Sequence, residues 1–195
     1  MQAKESSLEF VPATPERWKD VESLFGSRGA CGGCWCMTWR LSRAEFNRQK
    51  GEANRDSLRS LVESGAVPGV LALSEGRPVG WCAVAPREHY VALARSRVLR
   101  PVDEQRVWSI SCLFVAKGFR RKGLSVLLLQ AAAEFAHSQG AAIVEGYPQE
   151  LDADLPDAFV WTGLAGAFQK AGFVEVARRS PRRPIMRHNH VPLGK

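Results

Sequence analysis

The chain has 195 residues, of which 45% are apolar and 24% charged, and carries a formal net charge of +7. That length predicts one domain over residues 1–195 with a full hydrophobic core, and no apolar run approaches the roughly 20 residues of a membrane span. The basic excess invites a nucleic-acid partner, but the six basic and no acidic residues from Arg178 to Lys195 account for all but one of the charges. That tail reads more simply as a solvated closing hairpin than as an anion-binding surface. The opening MQAKESSLEF lacks the apolar core of a signal peptide, so a cytoplasmic location is expected.

Leu8–Val11 reads as a short first strand. Thr14 and Pro15 then supply a helix N-cap and first helical position, and Trp18, Val21, Leu24 and Phe25 line one face of a helix ending near Gly26. A Gly- and Cys-rich loop, CGGCWC, follows. Ser42 and Glu45 have the spacing of a capping box for a helical region that runs toward Ser64 and breaks or bends at Gly51. Gly69–Ser74 and Val79–Ala85 read as strands joined by the turn Glu75–Pro78. Residues 86–105 are polar and Arg-rich and read as a mobile connection or substrate loop. Beyond them, Val107–Ala116 is a strand, residues 124–139 a helix and Ala141–Tyr147 a further strand. Residues 148–158 read as an acidic, Pro-containing loop. A short helix at Gly163–Ala171 and strands at Phe173–Ala177 and Pro184–His188 close the chain.

The stretch VWSISCLFVAKGFRRKGLSVLLLQAAAEFAHSQG, Val107 to Gly140, carries the most chemistry. Val107–Ala116 is apolar and β-branched without a breaker. Leu124, Leu127, Leu128, Ala131, Ala132 and Phe135 recur at helical spacing up to Gly140. Between them, Arg120-Arg121-Lys122-Gly123-Leu124-Ser125 sets backbone N–H groups without intrahelical partners at a positive helix end, which suits a diphosphate. Gly123 lets the backbone approach the phosphate, and Arg120, Arg121 and Lys122 add charge around it.

This segment resembles motif A of the GNAT acyl-CoA-dependent N-acetyltransferases, Q/R-x-x-G-x-G/A. Arg120 fills the first position and Gly123 the fourth; Ser125 stands at the last, where the family usually has Gly or Ala. The motif's L-x-V lead-in is Leu113-Phe114-Val115, and AFQKAGFVEVAR resembles the closing Y-x-x-x-G-F motif with Phe168 in place of Tyr. The resemblance spans about Leu8 to His188. It implies an α/β (α+β) GNAT fold, a central mixed, mostly antiparallel sheet flanked by helices with a βαβ acetyl-CoA-binding core. It also implies that strand 107–116 splays from strand 141–147, so that pantetheine lies between them and bonds backbone groups at Leu113 and Val115. The cofactor site would then comprise Leu113, Phe114, Val115, Arg120, Arg121, Lys122, Gly123, Leu124, Ser125 and Phe168, with acetyl-CoA as cosubstrate and no metal. The Leu113 N–H is the expected oxyanion donor. Partners implied are acetyl-CoA and an amine acceptor, with no membrane or nucleic acid, and with room for a homodimer.

The general base is less legible. Strand alternation puts Ser109 and Ser111 on the face of the L-x-V residues; serine is no base near neutral pH, although Ser111 would order a relay water. Glu88, Glu145 and Tyr147 are the other candidates, each taken alone reading more simply as a rim or surface residue. Phe168 has no hydroxyl to protonate the thiolate, a role open to Tyr147 or to water. Cys31, Cys34 and Cys36 have the spacing C-x2-C-x-C, three thiolates that with His89 or Cys82 would hold zinc. With no second CxxC pair, they read more simply as reduced thiols packing beside Trp35 and Trp39, or as part of an acceptor pocket formed by Cys34, Trp35, Cys36 and Trp39. Cys112 points away from the Leu113 face. The leading reading is an acetyl-CoA-dependent N-acetyltransferase working by direct attack in a ternary complex. The alternatives are an acyl-CoA-binding module of the same fold without efficient turnover, and a nucleic-acid-associated protein led by the basic tail.

Overall fold

In the computed structural model, which describes residues 7–150 and 160–190, strand β1 (Leu8–Pro12) leads through the tight turn Pro15–Arg17 into helix α1 (Trp18–Phe25). Pro15 takes the first helical position as expected, but Thr14 caps no backbone N–H. Its side chain bonds the Glu16 carboxyl instead and holds that group below its usual pKa. Helix α1 buries Trp18, Val21 and Phe25 and ends at Gly26. An irregular turn at Gly29–Gly33 precedes helix α2 (Arg43–Gln49), which opens on the expected reciprocal Ser42–Glu45 capping box. Gly51 separates α2 from helix α3 (Glu52–Glu63).

Strands β2 (Gly69–Ser74) and β3 (Arg77–Pro86) form the expected hairpin. The segment after β3 differs from its reading as a mobile connection. A turn at Arg87–His89 and the single-turn helix α4 (Val91–Ala94) pack Tyr90, Leu93 and Leu99 against Ala85, Tyr147 and Ile185. These apolar anchors are scattered among arginines without a period of 2 or 3.6, so no pattern announced them.

Strand β4 (Trp108–Val115), helix α5 (Leu124–Ser138) and strand β5 (Ile143–Gly146) make a βαβ unit. Helix α6 (Ala165–Lys170) and the hairpin of β6 (Val174–Arg178) and β7 (Pro184–Asn189) complete the order. The sheet runs β1-β2-β3-β4-β5-β7-β6, with β4 and β5 as its parallel pair and antiparallel pairing elsewhere.

The sheet divides two cores. Successive side chains of a strand point to opposite faces, and β2 sends Val70 and Ala72 toward α5 but Leu71 and Leu73 toward α1 and α3. On the first face α5 contributes Leu124, Leu128, Leu129, Ala132, Ala133 and Ala136. The buried stripe is thus rotated from the expected one, and Leu127 lies outside it, 40% exposed. On the second face Trp18, Phe25 and Trp35 cluster with Trp81 of β3. Fully burying one such large apolar side chain contributes about 1.5–3 kcal/mol, so each face is a substantial anchor for the strands between them. No helix among the described residues is long and apolar enough to cross a membrane.

Candidate active site

The centre of the site is an irregularity in β4. Ala83 pairs with Cys112 and its neighbour Val84 with Ile110, so Ser111 is an extra residue, a β-bulge. The bulge changes which residues share a face. Ile110 and Leu113 pack on the α5 side, whereas Cys112 and Phe114 pack on the other. Strict alternation therefore misplaces Ser109. It does not share the Leu113 face; its hydroxyl lies 2.8 Å from the Tyr147 hydroxyl, in the cluster around Tyr90 and Tyr147. Ser111 is buried with its side chain bonded to Tyr90, whose hydroxyl burial pushes up to about 12. Cys112 does lie opposite Leu113, as its position predicts.

Strands β4 and β5 are paired only as far as Ile110 and Gly146. Beyond that point β4 continues to Val115 while β5 has ended, so the two strands part. The Leu113 N–H points into the gap and donates to the carbonyl of Trp161 at 2.7 Å. Phe168 of α6 lies at the foot of the gap, fully buried against Phe173. Gly163 sits between Leu113 and Phe168: its φ is +84°, and a Cβ there would stand 2.8 Å from Leu113 Cδ1 and from Phe168 Cε2. Only glycine meets both demands.

Past the gap, β4 turns through Lys117–Phe119 into the N-terminus of α5. The Arg120 guanidinium donates to the Val115 carbonyl at 2.9 Å, so this arginine ties the loop to the strand end. Arg121 and Lys122 are exposed, the former with a left-handed backbone at φ +58°. Gly123 has φ +83°, and a Cβ there would meet nothing within 4 Å. Its glycine is therefore not demanded by packing. It meets the left-handed conformation and leaves open space beside the first-turn N–H groups of α5, including those of Leu124 and Ser125, where an anion is favoured.

Beside the last paired residues of β4 and β5, where Glu145 stands opposite Ser109, lies a charge network. Glu145 is 1% exposed and accepts from Arg187 Nε at 2.8 Å and Arg87 Nη1 at 3.2 Å. The Tyr147 hydroxyl donates to Glu145 at 2.7 Å and also contacts Arg87 and Ser109. Burial, then the Glu145 charge, push the Tyr147 phenol well above its ordinary pKa. Arg187 forks onto Asp103 and holds its carboxyl down to about 2. Arg87, Asp103, Glu145 and Arg187 line a pocket of about 220 Å³. Glu145 and Tyr147 do share a strand face, but both are committed to partners, while Glu88 stands exposed at the surface.

The cysteine loop is chiefly core. Trp35 and Cys36 are 4% and 5% exposed and pack with Trp18, Phe25 and Trp81, so they do not line an acceptor pocket. Cys36 Sγ accepts from the Trp81 indole at 3.3 Å. A hydrogen bond from Cys112, with that indole, favours ionisation of Cys36 over its neighbours, and the Cys112 thiol is pushed up in return. All five cysteines are free thiols, and among the described residues no group of three or more His, Cys, Asp or Glu could hold a metal. Trp39 instead reaches the site, edge-on to Tyr147 and to Trp161 with ring centroids 5.6 and 5.3 Å apart.

The basic tail is not the solvated hairpin its sequence suggests. Among its described residues, Arg187 is buried, Arg179 donates to the carbonyls of Arg100 and Pro101, and Arg178 pairs with Glu150 and Glu175. Arg183 donates to the Thr162 hydroxyl at 2.9 Å and the Tyr147 carbonyl at 3.1 Å. Lys195 lies outside the described residues, as does most of the acidic loop expected at 148–158. Arg87, Arg183, Arg187 and Trp161 are the site residues that sequence reasoning passed over. One signal was present for the arginines: a glutamate inside the apolar strand Ile143-Val144-Glu145-Gly146 demands a buried cation.

Residues 35–151 match the model of the family described as the Acetyltransferase (GNAT) family. The fold is shared with the PaiA N-acetyltransferase of Thermoplasma acidophilum in complex with coenzyme A, at a TM-score of 0.53 and 14% identity over 94% of this chain and 99% of that one. It is shared too with GNAT-family acetyltransferases of Listeria monocytogenes (TM-score 0.58, 10% identity, 97% and 99% covered) and Streptococcus agalactiae (0.56, 14%, 94% and 96%). No curated protein sequence matches this chain.

Proposed function

The chain belongs to the acetyltransferase (GNAT) family, and from that premise we propose that it moves an acetyl group from acetyl-CoA to a primary amine by direct attack in a ternary complex. The observation that carries the reading is the parting of β4 and β5 directly before the open, Gly123-led N-terminus of α5. The gap takes an extended pantetheine, and the helix end takes the diphosphate. Arg121 and Lys122 lie exposed around it, and the coenzyme A in the PaiA structure supports the choice of carrier.

The Leu113 N–H is the oxyanion donor of this mechanism. Fixed by the strand, it points into the gap and polarises the thioester carbonyl as the amine attacks, without reorganising during the reaction. Leu113, Phe114 and Val115 present the backbone along which pantetheine is held, and Phe168 packs the floor beneath the sulfur. The side chains near the gap hold one another: Glu145 is neutralised by Arg87 and Arg187, Tyr147 is bound by three partners, and Ser111 is turned to Tyr90. Catalysis therefore rests on positioning and electrostatic polarisation. Ser111 and Tyr147 position the acceptor wall, and water carries the proton from amine to departing thiolate. The reading of an acyl-CoA-binding module without efficient turnover is favoured by one observation, the missing hydroxyl at Phe168.

Calorimetric titration with acetyl-CoA tests the site. The wild type binds saturably, and Gly123→Glu, which sets bulk and negative charge where the diphosphate lies, loses binding. Gly123→Asn tolerates the left-handed backbone without the charge and retains it in part. Equal binding by wild type and Gly123→Glu, with both folded, would remove α5 from the cofactor site.

A further inference from the structure

The Leu113 N–H is already bonded. Strand β5 ends opposite Ile110, so Leu113 has no strand partner on that side, and the Trp161 carbonyl takes its place at 2.7 Å. Residues Trp161–Gly163 are held there from several directions. Gln149 and Gly163 bond through their backbones at 2.8 Å, and Gln149 bridges Leu164 in parallel. The Thr162 hydroxyl, 1% exposed with its residue, accepts from Arg183. The Trp161 ring meets Trp39 edge-on, and Gly163 wedges against Leu113 and Phe168. This short stretch is a turn, closed by the Gly163 N–H donating to the Val160 carbonyl at 2.8 Å, and it presents the Trp161 carbonyl to the donor a thioester carbonyl would use.

We propose that Trp161–Gly163 is a built-in competitor for the acyl-CoA slot, its Trp161 carbonyl standing in for the thioester carbonyl on Leu113, so that docking of this segment and loading of acetyl-CoA exclude one another. The inference rests on the assignment of Leu113 given under Proposed function. A protein whose docked form predominates binds its ligand with an affinity lowered by the fraction that is open, so weakening the docking strengthens binding. Arg183 is central to this balance, because it ties Thr162 to the carbonyl of Tyr147 and so couples the segment to the acceptor wall.

Thr162→Val keeps the side-chain shape and removes the Arg183 bond. Loss of one such hydrogen bond is expected to tighten acetyl-CoA binding by about 2- to 10-fold. Hydrogen exchange at the Leu113 amide, slow in the unliganded wild type, becomes faster in the unliganded variant and slow again at saturating acetyl-CoA. Gly163→Ala, whose Cβ meets Leu113 and Phe168, moves both readouts in the same direction. Unchanged or weaker acetyl-CoA binding by folded variants whose Leu113 amide has been freed would overturn the competition while leaving the acyl-CoA site intact. A Leu113 amide that exchanges freely in the unliganded wild type would overturn it as well. No binding by any form would overturn this inference and the proposed function together.

Discussion

Glu145 shows how one residue can set the character of a site. It is 1% exposed, on a strand otherwise apolar, and two guanidinium groups neutralise it, the Arg87 and Arg187 side chains being 13% and 7% exposed. Buried charges are tolerated when paired, but removal of one partner leaves the others uncompensated. Glu145→Ala is expected to lower the unfolding free energy by about 3–5 kcal/mol in denaturant titration; Glu145→Gln, which keeps the shape and one acceptor, costs less. Tyr147→Phe removes a hydroxyl with three partners and is expected to cost about 1–3 kcal/mol. If Tyr147 positions the wall and does not deliver a proton to sulfur, this variant raises the KM for the amine far more than it lowers kcat. A collapse of kcat at unchanged KM would make Tyr147 the acid.

Among elements, the βαβ unit and its neighbours hold two devices that alternation alone does not reveal. The first is the bulge at Ser111, which returns Leu113 to the α5 face while keeping Ser109 toward Tyr147. A period-2 reading cannot see an extra residue, because both sides of Ser111 remain regular strand. The second joins the end of α5 to β7. The Ala141 carbonyl accepts from His137 Nδ1 at 2.7 Å, which leaves His137 Nε2 to accept from His188 Nδ1 at 3.0 Å. Burial, then His137, lower the His188 pKa from its ordinary 6.5, while Glu134 raises it; the His190 ring also faces His137. The folded state thus binds fewer protons than the unfolded one in the window below pH 6.5, so stability falls as pH drops through it. Thermal unfolding followed between pH 7.5 and 5 is expected to show this loss, and His188→Gln to flatten it. An unchanged slope in the variant would place the titration elsewhere.

At the level of the whole molecule, what the sequence disclosed was what short-range periodicity and local end signals encode. The Ser42–Glu45 box, the Gly51 break, the β2–β3 hairpin and the Leu113–Ser125 strand, loop and helix were legible because each is determined within a few residues. The pairing of Arg87 with Glu145, of Arg187 with Asp103 and of Trp161 with Leu113 joins residues 48 to 84 positions apart, and no local pattern encodes such partners. The same distance explains the basic tail: Glu175 lies within reach of Arg178 in the chain, but the partners of Arg179, Arg183 and Arg187 lie 21 to 84 positions away. Arg178, Arg179, Arg183 and Arg187 are thus committed to partners within the fold rather than gathered as a solvated basic patch. The reaction proposed for this protein is transfer of acetyl to an amine. Its most direct test is incubation of the protein with isotopically labelled acetyl-CoA and a panel of alkylamines, arylalkylamines and peptides, with products read by mass. Label is expected on an amine nitrogen, with one free CoA thiol for each acetyl moved. Saturable acetyl-CoA binding with the label left on CoA for every amine would contradict it and leave a binding module.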